Sequence, residues 1–191
     1  MSTDPITITP DFVWPEPDTH GNHTLANGAT IGSDAVIGRC AIIGRCAIIG
    51  PNAVIEQYVS IEQYVSIGPN AVIGSSAVIG QYATIGQYAV IEQNAVIEQD
   101  AVIEQDAVIG MGARVGPNAR WIACVGWADG YYKDLCAVGD VAYIGAGCRW
   151  FTLGAALRHW GNHEEDRQDT LDLMQAAVAI AKRRGLKLEE A

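Results

Sequence analysis

From Ile31 to Ile109 every sixth residue is isoleucine, fourteen in succession, and Leu25, Val115 and Trp121 continue the beat outward. A period of six belongs neither to a helix nor to a simple strand. It marks a repeat in which each hexapeptide supplies one short strand and one corner. The unit reads Ile-(Gly/Glu)-x-x-(Ala/Val)-x, as in Ile49-Gly50-Pro51-Asn52-Ala53-Val54 and again from Ile67 to Val72. Side chains alternate along a strand, so the isoleucine and the Ala or Val two residues before it point inward, and the residue between points out. The corners Pro51-Asn52, Pro69-Asn70 and Pro117-Asn118 have the chemistry of type II turns. Proline presets the first φ and asparagine accepts a positive φ at the second. Cys40, Cys46, Tyr58, Tyr64, Tyr82 and Tyr88 stand at the asparagine position elsewhere. A positive φ there makes each of them a local misfit.

Over residues 25–121 this pattern resembles the hexapeptide-repeat superfamily, whose fold is the left-handed parallel β-helix shared by many acyltransferases. The resemblance implies a mainly β chain of about five triangular coils, each built from three hexapeptides, or 18 residues. That spacing predicts columns. Val36, Val54, Val72, Val90 and Val108 line one outward face; Thr24, Ile42, Ser60, Val78, Val96 and Arg114 a second; Thr30, Ile48, Ser66, Thr84, Val102 and Arg120 the third. No two glutamates fall in adjacent coils of one column: Gly74 separates Glu56 from Glu92, and Gly80 separates Glu62 from Glu98. Like charges about 4.8 Å apart are thereby avoided. Gln63, Gln81 and Gln99 form an amide column, and Tyr64 with Tyr82 a stacked pair. Superfamily members are usually homotrimers packed along their axes, so the uniformly apolar valine face is read as the subunit interface. Some hexapeptides are near copies, Arg39–Gly44 with Arg45–Gly50 and Glu56–Ile61 with Glu62–Ile67, a uniformity of either duplication or construction.

The ends differ in character. Residues 1–24 are read as an extended arm that caps the first coil, with Phe12 and Trp14 as anchors. Residues 122–191 are read as a small α+β cap. Short apolar runs broken by Trp127-Ala128-Asp129-Gly130 and Gly139-Asp140 predict an antiparallel sheet. A helix over about 163–184 follows, with Asn162 and Glu165 as its capping box and Lys182 to Arg184 in its last turn.

A net charge of −10 argues against nucleic acid as a partner. No apolar run reaches the roughly 18 residues of a membrane span, and no secretory leader is visible at the start. Five cysteines without CxxC spacing fit a reducing compartment, the cytoplasm. Cys40 and Cys46 are one triangle edge apart, and Cys124, Cys136 and Cys148 lie in apolar runs as buried small hydrophobes.

The acyltransferase resemblance implies a histidine base beside the coils, near a loop that protrudes from a corner. Between Leu25 and Trp121 there is neither a histidine nor an insertion. All four histidines, His20, His23, His159 and His163, lie at the ends, and no metal site is read from them. The reading is therefore a non-catalytic oligomeric scaffold or binding module without a cofactor, any protein or small-molecule ligand being assigned to the C-terminal segment. The alternative is a CoA- or carrier-protein-dependent acyltransferase with a site between subunits that uses His159 or His20. A third reading takes the acidic corners (Glu56, Glu62, Glu92, Glu98, Asp100, Glu104, Asp106) as a decoy for a basic partner.

Overall fold

The computed structural model describes residues 4–146, 149–161 and 168–189. Fifteen two-residue strands follow at six-residue intervals, from β3 (Thr30–Ile31) to β17 (Arg114–Val115). Parallel pairing joins strands 18 residues apart, as in Val54↔Val72 and Val72↔Val90, up to β16 and β17, which end their sheets. The result is a parallel β-helix of about five coils with three sheets.

The interior is the predicted one. Isoleucines from Ile43 to Ile109 are at most 1 % exposed, and the alanines and valines two residues before them fill the space beside the corners. Every corner from Asp34 to Asn118 has a residue of positive φ at the same place in the hexapeptide, Gly112 included. Cys40 (57°), Tyr58 (62°) and Tyr88 (58°) adopt it as readily as Asn52 (56°). The repeat geometry overrides their own preference, which disfavours this region for residues with a bulky Cβ substituent.

The coils are close enough to select glycine. A Cβ on Gly44 would lie 2.3 Å from the backbone of Glu62, and one on Gly38 would lie 2.5 Å from that of Gln57. The Gly/Glu alternation has a more specific cause than charge separation. Glu56 accepts the backbone N–H of Ser75 (2.9 Å), Glu62 that of Gln81 (3.1 Å) and Glu92 that of Met111 (2.8 Å). Each carboxylate thus reaches the N–H that follows the glycine one coil on.

At the first coil the column assignment of Thr24 is corrected. Asn27-Gly28 reverses the chain, with Gly28 at φ 80°, and β2 (His23–Thr24) pairs antiparallel with β3, placing Thr24 opposite Thr30. The place beside β5 (Ile42–Ile43) is taken by β1 (Ile6–Thr7), also antiparallel. Ile8 is buried and Phe12 packs on the same core. The buried Asn27 side chain donates to the Ile43 carbonyl at 2.9 Å, satisfying an edge acceptor.

At the other end β18 (Arg120–Ala128) starts in register with the coil and then runs on. With β19 (Tyr131–Val138), β20 (Val141–Ala146) and β21 (Arg149–Thr152) it forms an antiparallel meander that extends one coil sheet. The turns are Asp129-Gly130, with φ 52° and 79°, and Gly139-Asp140, with φ 58° at the glycine. These are the signs of two-residue hairpins. One side of the meander closes the last coil, with Cys136 in the coil core, Tyr132 over Gly110 and Trp150 over Gly116. The other side carries α1 (Leu153–Gly161) and α2 (Gln168–Arg183), packed through Leu135, Ile144, Leu153, Ala156, Trp160, Met174 and Ala177. The sequence pattern predicts one helix, over about 163–184; α2 lies within that range and α1 precedes it as an additional helix. Asn162, His163 and Glu165 lie outside the described residues.

Candidate functional site

The five outward valines belong to a sheet of five coil strands to which, among the described residues, no further strand is added at either end. Val36 and Val108 are 59 % and 41 % exposed, and Val54, Val72 and Val90 half-buried. The other two faces are mixed. They expose Ile42, Ile48 and Val102 but also carry serines, threonines and the ion-paired Arg114 and Arg120. One of them receives β1 and the other is prolonged by the meander. Among the described residues the valine strip is thus a long, uniformly apolar surface made by coils alone.

A groove of about 280 Å³ crosses the face that receives β1, lined by Pro5, Ile42, Arg45, Ser60, Glu62, Gln63 and Gln81. Arg45 stacks on Tyr64, 5.2 Å from its ring centre, and donates to its hydroxyl. Tyr64 in turn stacks on Tyr82, with centroids 5.1 Å apart and planes 3° apart. Gln63 donates to Gln81 at 3.2 Å, making the first step of the amide column. A second hollow of about 340 Å³ lies where the last coil meets the cap, lined by Asn118, Arg120, Ile122, Gly139, Arg184 and Leu186.

The two histidines proposed as bases are set far apart in the fold. His20 is exposed in the loop before β2, where its backbone N–H donates to Asp18 at 2.8 Å. Asp18, bonded chiefly by Asn22, is held below the usual carboxylate range. His159 lies on α1 at the opposite end, stacked on Phe151 (5.5 Å), edge-on to Trp160 (5.0 Å) and 3.1 Å from Arg149 Nη1. Its ring is thus engaged within the cap. His23 contacts the Pro15 carbonyl at 2.6 Å and the Trp14 ring at 5.5 Å. Among the described residues no group of three or more His, Cys, Asp or Glu could hold a metal ion.

Cys124 is exposed, which corrects its reading as a buried hydrophobe: bulges in β18 shift its register against β19. Cys136 is buried and its thiol is pushed well up by burial. Cys148 lies outside the described residues.

Sequence reasoning passed over Lys133 and Asp134, which are 1 % and 0 % exposed. Adjacent strand residues face opposite ways, so a strand with one wet side would leave one of the two charges in water. Both are buried because the meander is covered on both sides, by the coil and by the helices. Lys133 Nζ donates to the carbonyls of Ala128 (2.6 Å) and Tyr131 (3.1 Å). The signal was there: two consecutive charges inside the apolar run Tyr131–Val138.

These features define a solenoid of hexapeptide coils with capped ends. The family described as bacterial transferase hexapeptide (six repeats) matches residues 22–57 and 58–93. Residues 22–93 therefore carry the repeats of the hexapeptide-repeat superfamily. Among solved structures the chain is similar to the acetyltransferase domain of PglB from Neisseria gonorrhoeae, at 19 % identity and TM-score 0.48, over 49 % of this chain and 45 % of that one. It is also similar to the UDP-N-acetylglucosamine acyltransferase of Francisella novicida, at 17 % identity and TM-score 0.26, over 81 % of this chain and 77 % of that one. The similarity thus spans less than half of the PglB chain. No curated protein matches the chain. Among the described residues no helix is long and apolar enough to cross a membrane.

Proposed function

We propose that the chain is a non-catalytic oligomeric scaffold or binding module, trimeric along Val36, Val54, Val72, Val90 and Val108 and active in the cytoplasm. In this reading the coils are a rigid spacer that fixes the relative placement of the caps, and the C-terminal segment carries specificity. The observation that carries the reading is the unbroken series of corners. A positive-φ residue recurs every six positions from Asp34 to Asn118, so no corner widens into a loop that could bring a base to the coil surface.

The competing reading is acyl transfer from CoA or a carrier protein, with His159 or His20 as base. Calorimetric titration of the full chain with acetyl-CoA separates the two. The scaffold reading expects no binding heat and no turnover. Binding that is lost in His159→Ala or His20→Ala overturns it in favour of the enzyme.

A further inference from the structure

Asp134 lies on the side of β19 that faces the last coil, at the seam between coil and cap. It is fully buried. Its Oδ1 accepts the Trp121 indole N–H at 3.3 Å, while Oδ2 is buried with no hydrogen-bond partner. An ionised carboxylate in that position lacks the donors that water would supply.

The groups around it do not make up the deficit. From the coil, Glu92 contributes a second negative charge, its own carboxylate engaged by the Met111 N–H. From β18 come the Trp121 indole and, directly opposite, the exposed Cys124. On β19 itself Cys136 shares the face as a buried thiol. Lys133 points the other way, its ammonium held by the carbonyls of Ala128 and Tyr131. On β20 the residue opposite is Gly145, which offers no side chain. Burial therefore dominates and pushes the Asp134 carboxyl up to about 7, with Glu92 adding to the rise and the Trp121 hydrogen bond and Lys133 opposing it.

We infer that Asp134 makes the docking of the C-terminal cap on the last coil respond to pH on the acid side of neutrality. With the carboxyl protonated, the seam closes over Cys136 and Trp121. Once ionised, the carboxylate is drawn towards water and the seam opens more often. The acid is raised in the closed state, from 3.8 to about 7. Closure is therefore fully favoured below about 3.8, loses ground as pH rises towards about 7, and changes no further above it. This device is independent of whether the protein is a scaffold or an enzyme.

Hydrogen exchange of the full chain, read by mass spectrometry in wild type and Asp134→Asn, tests it. The ratio of wild-type to variant exchange rates in β18 and β19 is expected to rise at least tenfold between about pH 4 and about pH 8, then level off. Amides around Ile67 and Ile73, deep in the coils, are expected to show no such rise. A flat ratio in β18 and β19 overturns the inference, as does an equal rise in the mid-coil amides. Should Asp134→Asn not fold, Glu92→Gln carries the test. Removing that charge is expected to move the wild-type levelling point to lower pH, and an unmoved levelling point contradicts the proposal.

Discussion

Glu98 is ion-paired with Arg114 and makes no bond to the backbone of residue 117, where a proline stands. Glu56, Glu62 and Glu92 each find a backbone N–H one coil on, and Pro117 is the place where that N–H is missing. Glu104 makes the same substitution, pairing with Arg120. The glutamates are therefore coil-to-coil fasteners, of a backbone type in the middle of the solenoid and of an ionic type at its end.

The two types should respond differently to salt. Glu62→Ala is expected to cost about 1 kcal/mol, because a charge-assisted bond to a backbone amide is lost. Glu98→Ala is expected to cost less, about 0.5 kcal/mol, since its ion pair is partly exposed. Denaturant titrations at about 0.1 M and about 1 M NaCl check this. The Glu98→Ala penalty should vanish at high salt while the Glu62→Ala penalty largely persists. Equal salt sensitivity would contradict the distinction.

Corner tyrosines supply a test with an unusual sign. Tyr88 has φ 58° and is 53 % exposed, so Tyr88→Asn removes a backbone misfit and little packing. A gain of about 0.5–1 kcal/mol is expected, a larger residue being replaced by one that tolerates positive φ. Tyr64 has the same backbone (61°) but stacks between Arg45 and Tyr82. Losing those contacts, worth about 0.5–1.5 kcal/mol for the aromatic pair alone, cancels the gain in Tyr64→Asn. Thermal unfolding of both variants decides, and equal shifts would show that the stack adds nothing.

Glycines in the coil columns test the closeness of the stack. Gly44→Ala places a methyl 2.3 Å from the backbone of Glu62, where no flexible side chain can yield. A loss of at least about 2–3 kcal/mol is expected, by the cost of overpacking. Gly130→Ala, with open space around it but φ 79°, should cost only about 1 kcal/mol. Chemical denaturation of the two variants orders them, and a milder effect at Gly44 would contradict the coil spacing.

Much of the fold was legible because the coil is local in sequence terms: the Ile31–Ile109 beat states the inside, and the corner chemistry states the turns. What escaped depends on partners distant in sequence. No pattern around Ile6 announces that it pairs with Ile43, and Thr24 keeps the period although Asn27-Gly28 turns its strand back. Helix α1 is nine residues, with Gly154 in its first turn and Gly161 at its end, a length at which tertiary packing rather than propensity makes a helix. Of the candidate site residues, the valines were readable as one column from their spacing. His20 and His159 were readable only as histidines at the ends, since no periodicity fixes a loop or a cap. Asp134 was hidden because its burial arises from the meander folding across the coil end.

In the proposed function the valine strip joins three copies of the chain. Multi-angle light scattering on the full chain and on a variant carrying Val54→Lys, Val72→Lys and Val90→Lys tests it directly. A wild-type mass near three times the 20.4 kDa of one chain is expected, and a single-chain mass for the folded variant. A wild type that runs at 20.4 kDa, or a variant that keeps the wild-type mass, would contradict it.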